Sequence, residues 1–192
     1  MYTKQQLKEL ASSNSNKLKN VSDESIKEEF IASFGEEKWK EEEMLSKLIP
    51  FSEKVAKHLG VDSIPIVFEE LDKEDSRIYF KEQYIAINER YSCNLEECMK
   101  CLAHEYRHLF QYYMIALFSK DDSAYGRLAR VYKEDFDNQV GIEDYEKYML
   151  QVVEIDAYAF TKVYLKKYYK LDITISNKSY SKIVEEFINR YY

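Results

Sequence analysis

NLEECMKCLAHEYRHLFQYYMIAL, residues 94–117, is the stretch around which the chain is organised. Asn94 has the short polar side chain that caps a helix, and Glu97, three places on, is the acid that completes a capping box. From Leu95 to about Leu117 apolar residues fall on most sides of a 3.6-residue period. A helix apolar on most sides belongs at the centre of a fold. Cys98 and Cys101 lie in the same pattern and read as small buried apolar residues. Together with Cys93 they show the C-x4-C-x2-C spacing of plant-type ferredoxins. That cluster needs a fourth thiolate, and the chain has only three cysteines. An odd count of unpaired thiols fits a reducing compartment.

Upstream of this helix the character changes. Residues 64–69 (IPIVFE), 77–80 (RIYF) and 83–88 (QYIAIN) are short and rich in β-branched and aromatic residues, which predicts three strands. Only residues 81–82 separate the last two, so a hairpin is expected. Before the strands, 36–59 has helical spacing at Trp39, Met44, Leu45, Leu48, Val55 and Leu59, with Gly60 as its C-cap. Residues 22–34 carry similar spacing, 12–16 (SSNSN) form a polar break, and 1–12 read as a short helix. Downstream, 121–138 is a weaker helical stretch, 142–170 a second long helix, and 179–192 a terminal one. The expected fold is a mostly helical α+β domain over 1–192, with a small sheet of about three strands and the 95–117 helix at its centre. Residues 1–60 would form a helical N-terminal extension packed on a 61–192 core.

With 4 Gly and 2 Pro in 192 residues, the chain is too poor in turn-formers for a loop-rich all-β fold. The net charge of −7 offers nucleic acid no electrostatic partner. No apolar run reaches the roughly 18 residues of a membrane span, and the opening residues MYTKQQLKELASSNSNKLKN lack the apolar region of a secretory signal. A cytoplasmic protein that engages neither membrane nor nucleic acid is expected. Composition leaves open whether the 18 tyrosines pack the core or lie on the surface.

His104-Glu105-Tyr106-Arg107-His108 has the pattern H-E-x-x-H, and it takes two of the chain's three histidines. Residues four apart share a helix face, so both imidazoles can grip one metal ion. Glu105 stands beside that face, within reach of a water on the metal. Zinc lowers the pKa of such a water to near 7, and a carboxylate at the Glu105 position takes its proton as general base for attack on a peptide carbonyl. His58, alone at the end of a helix, reads as a surface residue or a partner of the helix C-terminus and not as a ligand.

A catalytic zinc takes three protein ligands and keeps one position open. No third histidine follows the motif, and position 111 is Gln where H-E-x-x-H-x-x-G-x-x-H would require Gly, so the third ligand must be an acid. Residues 149–160 (MLQVVEIDAYAF) are an almost continuously apolar helical stretch with two carboxylates, Glu154 and Asp156. A buried carboxylate is costly unless it is paired or metal-bound. Two residues apart is about 200° around a helix, so one ion cannot be faced by both. Glu154 is favoured as the ligand. Asp156 is left to a salt bridge, with Arg107 or a capping amide as its partner.

A short sheet, a helix with HEYRH and a later helix reading EIDAYAF resemble the ImmA/IrrE-type zincin peptidases of bacteria and phages. That group pairs H-E-x-x-H with a downstream E-x-x-A-x-x-F, matched here by His104, Glu105 and His108 and then by Glu154, Ala157 and Phe160. The resemblance spans about residues 64–165. It implies a minimal gluzincin-like fold, Glu154 as third zinc ligand, and strand 83–88 edging the cleft, where a peptide could add as a further strand. Two departures stand out: Arg107 replaces the usual Gly before the second His, and residues 121–141 lengthen the gap to Glu154. Residues 1–60 have no counterpart in the resemblance.

A zinc-dependent peptidase acting on a protein or peptide is therefore the leading expectation. A catalytically weak zinc-binding regulatory protein on the same fold is the alternative. A helical interaction protein in which HEYRH is accidental is a third.

Overall fold

Gly60 ends the first helix as expected. Its φ of +71° is a conformation open chiefly to glycine, and it lets the Val61 amide turn back to the Ala56 carbonyl at 3.0 Å. The computed structural model describes residues 36–192. The elements expected over 1–12, 12–16 and 22–34 lie outside the described residues. Helix α1 (Glu36–Leu59) lays Met44, Leu48, Phe51 and Val55 into the main core.

The small sheet follows, with β1 (Ile66–Glu69), β2 (Ser76–Tyr79) and β3 (Tyr84–Asn88) in the order β1-β3-β2. β3 runs parallel to β1, with Ile66 opposite Ile85, and antiparallel to β2, with Ser76 opposite Ile87. The expected hairpin forms through residues 80–83, where Gln83 takes a φ of +60° and donates its amide to the Tyr79 carbonyl at 2.7 Å. One implication of the resemblance is overturned. Strand 83–88 does not edge the cleft, because β3 is central and paired on both sides. Its residues YIAIN are all buried, which suits a strand covered on both faces, whereas β2 carries Ser76 and Arg77 to the margin.

Asn94 caps α2 (Leu95–Phe118) as expected, accepting a hydrogen bond from the Glu97 amide at 3.2 Å. The reciprocal half of the capping box is missing, since the Glu97 carboxylate pairs with Lys100. α2 lies between the sheet, α1 and the later helices, with Leu102, Ala103 and Tyr106 fully buried. The Tyr106 hydroxyl accepts from the Ile64 amide at 3.1 Å and so ties the motif helix to the start of the sheet. Residues of this cluster such as Leu48, Ile85 and Leu102 are fully covered. Truncating any one to Ala costs about 2–5 kcal/mol.

The helical stretch expected over 121–138 is α3 (Ala124–Asp137), capped by Ser123. The long helix expected over 142–170 is instead broken. A 3-10 turn (Ile142–Asp144) and a short helix α4 (Tyr145–Met149) precede α5 (Val152–Tyr169). The break has a cause in Gln151, which adopts extended backbone angles and spends its side chain outside the helix. Its amide nitrogen donates to the Asp135 carbonyl and its oxygen accepts from the Val140 amide. Helix α6 (Lys178–Tyr191) packs Tyr180 and Val184 against Met149, Ile155 and Ala159. The fold is thus mostly helical α+β with a three-stranded mixed sheet. No helix among the described residues is long and apolar enough to cross a membrane.

Candidate metal centre

One helical turn on α2 brings the His104 and His108 rings to 4.6 Å, edge to face, with their Nε2 atoms 3.0 Å apart. Glu154 reaches them from the first turn of α5: its Oε2 is 3.2 Å from His104 Nε2, and its Oε1 is 3.4 Å from His108 Nε2. The break before Val152 is what puts Glu154 in a first turn, where the helix dipole favours an anion. One ligand atom from each of these three residues fits within 4.8 Å, so the group could hold a metal ion. His108 and Glu154 are buried, while His104 opens partly towards the cleft. Burial disfavours charge on His108, but the Glu154 carboxylate overrides it and pushes the imidazole up to about 9. Burial likewise works against charge on Glu154, and the two imidazoles hold it well below the usual carboxylate range. A carboxylate and two imidazole nitrogens thus face one another at 3.2 and 3.4 Å.

His108 is oriented from behind. The Gln111 amide nitrogen donates to Asp156 Oδ2 at 2.8 Å and to the Val153 carbonyl at 3.0 Å. That leaves the Gln111 oxygen to accept from His108 Nδ1–H at 2.8 Å, so Nε2 is the atom directed at the metal group. Asp156 forms the salt bridge expected from its helical phase, accepting from Arg107 Nε at 2.8 Å and Nη2 at 2.9 Å. It also accepts from Tyr132 and Tyr192, each at 3.0 Å. Burial raises the Asp156 carboxyl, and Arg107 and the other donors bring it below its ordinary value. Arg107, the departure from the family pattern, thus points away from the ligand face. The other departure, residues 121–141, supplies α3, whose Tyr132 meets Asp156 and whose Asp135 carboxylate accepts from the Val153 amide at 3.1 Å.

Glu105 is nearly covered, and its Oε1 accepts from Ser76 Oγ on β2 at 2.7 Å. The loop leading to Ser76 is pinned by Asn88, whose side-chain amide donates to the Leu71 and Glu74 carbonyls. Tyr148 stands beside Glu105, His108 and Glu154 in the cleft wall, with burial and the Glu154 charge both raising its phenol. Tyr158 packs edge-on to His104 at 4.7 Å.

His104, His108 and Glu154 converge, with Glu105 beside them. His58 is exposed and packs on Phe160, Tyr164 and Tyr168. Cys98 and Cys101 are buried, Cys93 is exposed, and all three are unbridged. Ser76, Tyr148, Tyr132 and Tyr192 were not singled out from the sequence. Gln111 could have been, as a polar residue one turn beyond His108 on the same helix face. Compared with known proteins, the chain matches no family model, no curated protein and no solved structure.

Proposed function

We propose that the protein is a zinc-dependent peptidase of the ImmA/IrrE-like zincin type. The observation that carries the proposal is the convergence of His104, His108 and Glu154 beside Glu105. Two imidazoles and a carboxylate are a donor set suited to catalytic zinc, which when bound supplies a Lewis acid for water and for the peptide carbonyl. Ser76 donates to Glu105 Oε1 and fixes the orientation of the carboxylate. Oε2 is the oxygen left to take the proton of the attacking water and pass it to the leaving amine. Tyr148 is the phenol placed to donate to an oxyanion developing in the cleft. The margin of β2 lies along the cleft through Ser76, Arg77 and Ile78, where an extended peptide could pair with it.

The test is to purify the full chain from zinc-replete medium, measure bound metal and follow hydrolysis of a mixed peptide library. The expected result is one zinc per chain, with a Glu105→Gln protein that keeps the metal and loses turnover by several orders of magnitude. Protein without bound transition metal would sink the proposal. Equal turnover by the variant would place the base elsewhere. Zinc without turnover in the parent chain would make it a regulatory zinc protein.

A further inference from the structure

The space in front of His104, Glu105 and Glu154 adjoins a second cavity of about 600 Å³. The two share Asp75, Lys100, Tyr145, Met149 and Tyr158 as walls, so the second opens beside the metal group. Beyond that shared wall Leu150, Ile173, Ile175, Ile183 and Tyr180 form its apolar side, and Glu146 with the polar residues of 174–179 forms its rim. Its size falls in the range of ligand-binding cavities. Leu150 and Tyr145 at its wall are 54% and 52% exposed, so large apolar side chains stand uncovered at the cavity, and Tyr145 also lines the space in front of His104. Two charges on the same wall are neutralised locally, Asp75 by Arg90 and Lys100 by Glu97. Glu105, His108 and Glu154 also border a cavity of about 580 Å³, where Ile78, Phe80 and Phe136 stand with the charged Glu74, Arg77 and Glu143. Of the two cavities that adjoin the site, the one at Leu150, Ile175 and Ile183 is the more apolar.

We infer that the Leu150–Ile175–Ile183 cavity is a specificity subsite that receives a large apolar side chain (leucine, isoleucine, methionine or phenylalanine) next to the scissile bond. The inference rests on the peptidase reading for its link to a scissile bond, but occupancy of the cavity does not require the metal. Burying such a side chain against these walls releases water from both surfaces, at about 25 cal/mol per Å² of apolar area. A carboxylate side chain gains nothing there and loses hydration.

Two measurements on the full chain separate the inference from the reading beneath it. The first follows isoleucine and leucine methyl resonances during titration with N-acetyl-leucine and N-acetyl-aspartate methylamides. The leucine compound is expected to shift the Ile175, Ile183 and Leu150 methyls with at least tenfold tighter binding than the aspartate compound, leaving the remote, exposed Leu117 unmoved. The second aligns the bonds cleaved in a mixed peptide library, with enrichment of large apolar residues on one side of the cut. Leu150→Glu, at an exposed wall position where folding is not at stake, should weaken the methyl response and reduce the enrichment; Ile175→Ala provides a milder check. Equal response to both amides, or cleavage without apolar preference, overturns the subsite while leaving the peptidase standing. A selective methyl response without zinc-dependent cleavage supports the cavity as an apolar-ligand site and overturns the peptidase.

Discussion

Glu154 and Asp156 are two residues apart on one helix, both buried, yet they face different partners. Glu154 faces His104 and His108, and Asp156 faces Arg107, so their substitutions separate by readout. Glu154→Ala should abolish tight zinc retention, measured by competition with a chromogenic chelator. Asp156→Ala strands the Arg107 guanidinium among buried neighbours and should cost about 3–5 kcal/mol in chemical denaturation of the metal-free protein. The opposite assignment of effects would mean that the phases are exchanged. Protons compete for the same nitrogens. His108 sits above its ordinary 6.5, at about 9, so its contribution to metal-free stability is present below 6.5 and lost as the pH rises through about 9. Glu154 is depressed, so its contribution is present above the ordinary carboxylate range and lost as the pH falls through its folded value. On the zinc reading, an ion held by Nε2 would have to displace the His108 proton, so its apparent affinity should climb by about tenfold per pH unit and level off above about 9. A pH-independent affinity between 6 and 9 would contradict the His108–Glu154 coupling. Gln111→Leu should weaken zinc about 10–100-fold by leaving Nδ1 without its acceptor.

The elements were legible in the sequence to different degrees, for physical reasons. The 95–117 helix could be read because capping box, apolar pattern and motif agree, and the Gly60 stop because a left-handed turn demands glycine. The sheet could be recognised from β-branched content, but strand order could not, since pairing is decided by which strand is covered on both faces. The break at 150–151 is invisible to periodicity, because MLQVVE continues an apolar helical pattern. What breaks the helix is the use of Gln151 by α3 and the loop after it, a contact distant in sequence. Ser76 was likewise hidden, as nothing near it marks a partner 29 positions away. α3 gives the sharpest element-scale prediction. A Cβ on Gly126 would stand 1.8 Å from the Asp121 carbonyl oxygen and 2.9 Å from that of Phe118, so the start of α3 approaches the end of α2 too closely for any side chain. Gly126→Ala should therefore lower stability by more than about 2 kcal/mol and, by displacing Tyr132 and Asp135, loosen zinc as well. Unchanged melting and unchanged metal affinity in that variant would show α3 to be dispensable to the site.

Across the molecule, tyrosine emerges as a structural polar residue: Tyr106 anchors the sheet, and Tyr132 and Tyr192 complete the shell of Asp156. Tyr180 is the exception among the described residues, with a buried hydroxyl that has no hydrogen-bond partner. Tyr180→Phe should be neutral or stabilising by up to about 1 kcal/mol in thermal denaturation, since an unsatisfied buried group is removed at almost constant shape. Marked destabilisation would reveal a partner for that oxygen. The Asp156 carboxylate also has consequences for the order in which the protein opens. Its donors come from α2, from α3 and from Tyr192, just beyond α6, and the acceptor itself sits on α5. Helix ends ordinarily fray, and their amides exchange with solvent by local openings of little free energy. Here the outermost turn of α6 cannot lift without withdrawing a hydroxyl from a buried anion, and neither α3 nor α5 can leave alone without doing the same. The four helices are therefore expected to form one cooperative unit in native-state hydrogen exchange, with amides at the end of α6 exchanging on the same slow isotherm as those flanking Arg107. A Tyr192→Phe protein should release the end of α6 into fast exchange while the α2–α5 amides keep their protection, converting one unfolding unit into two.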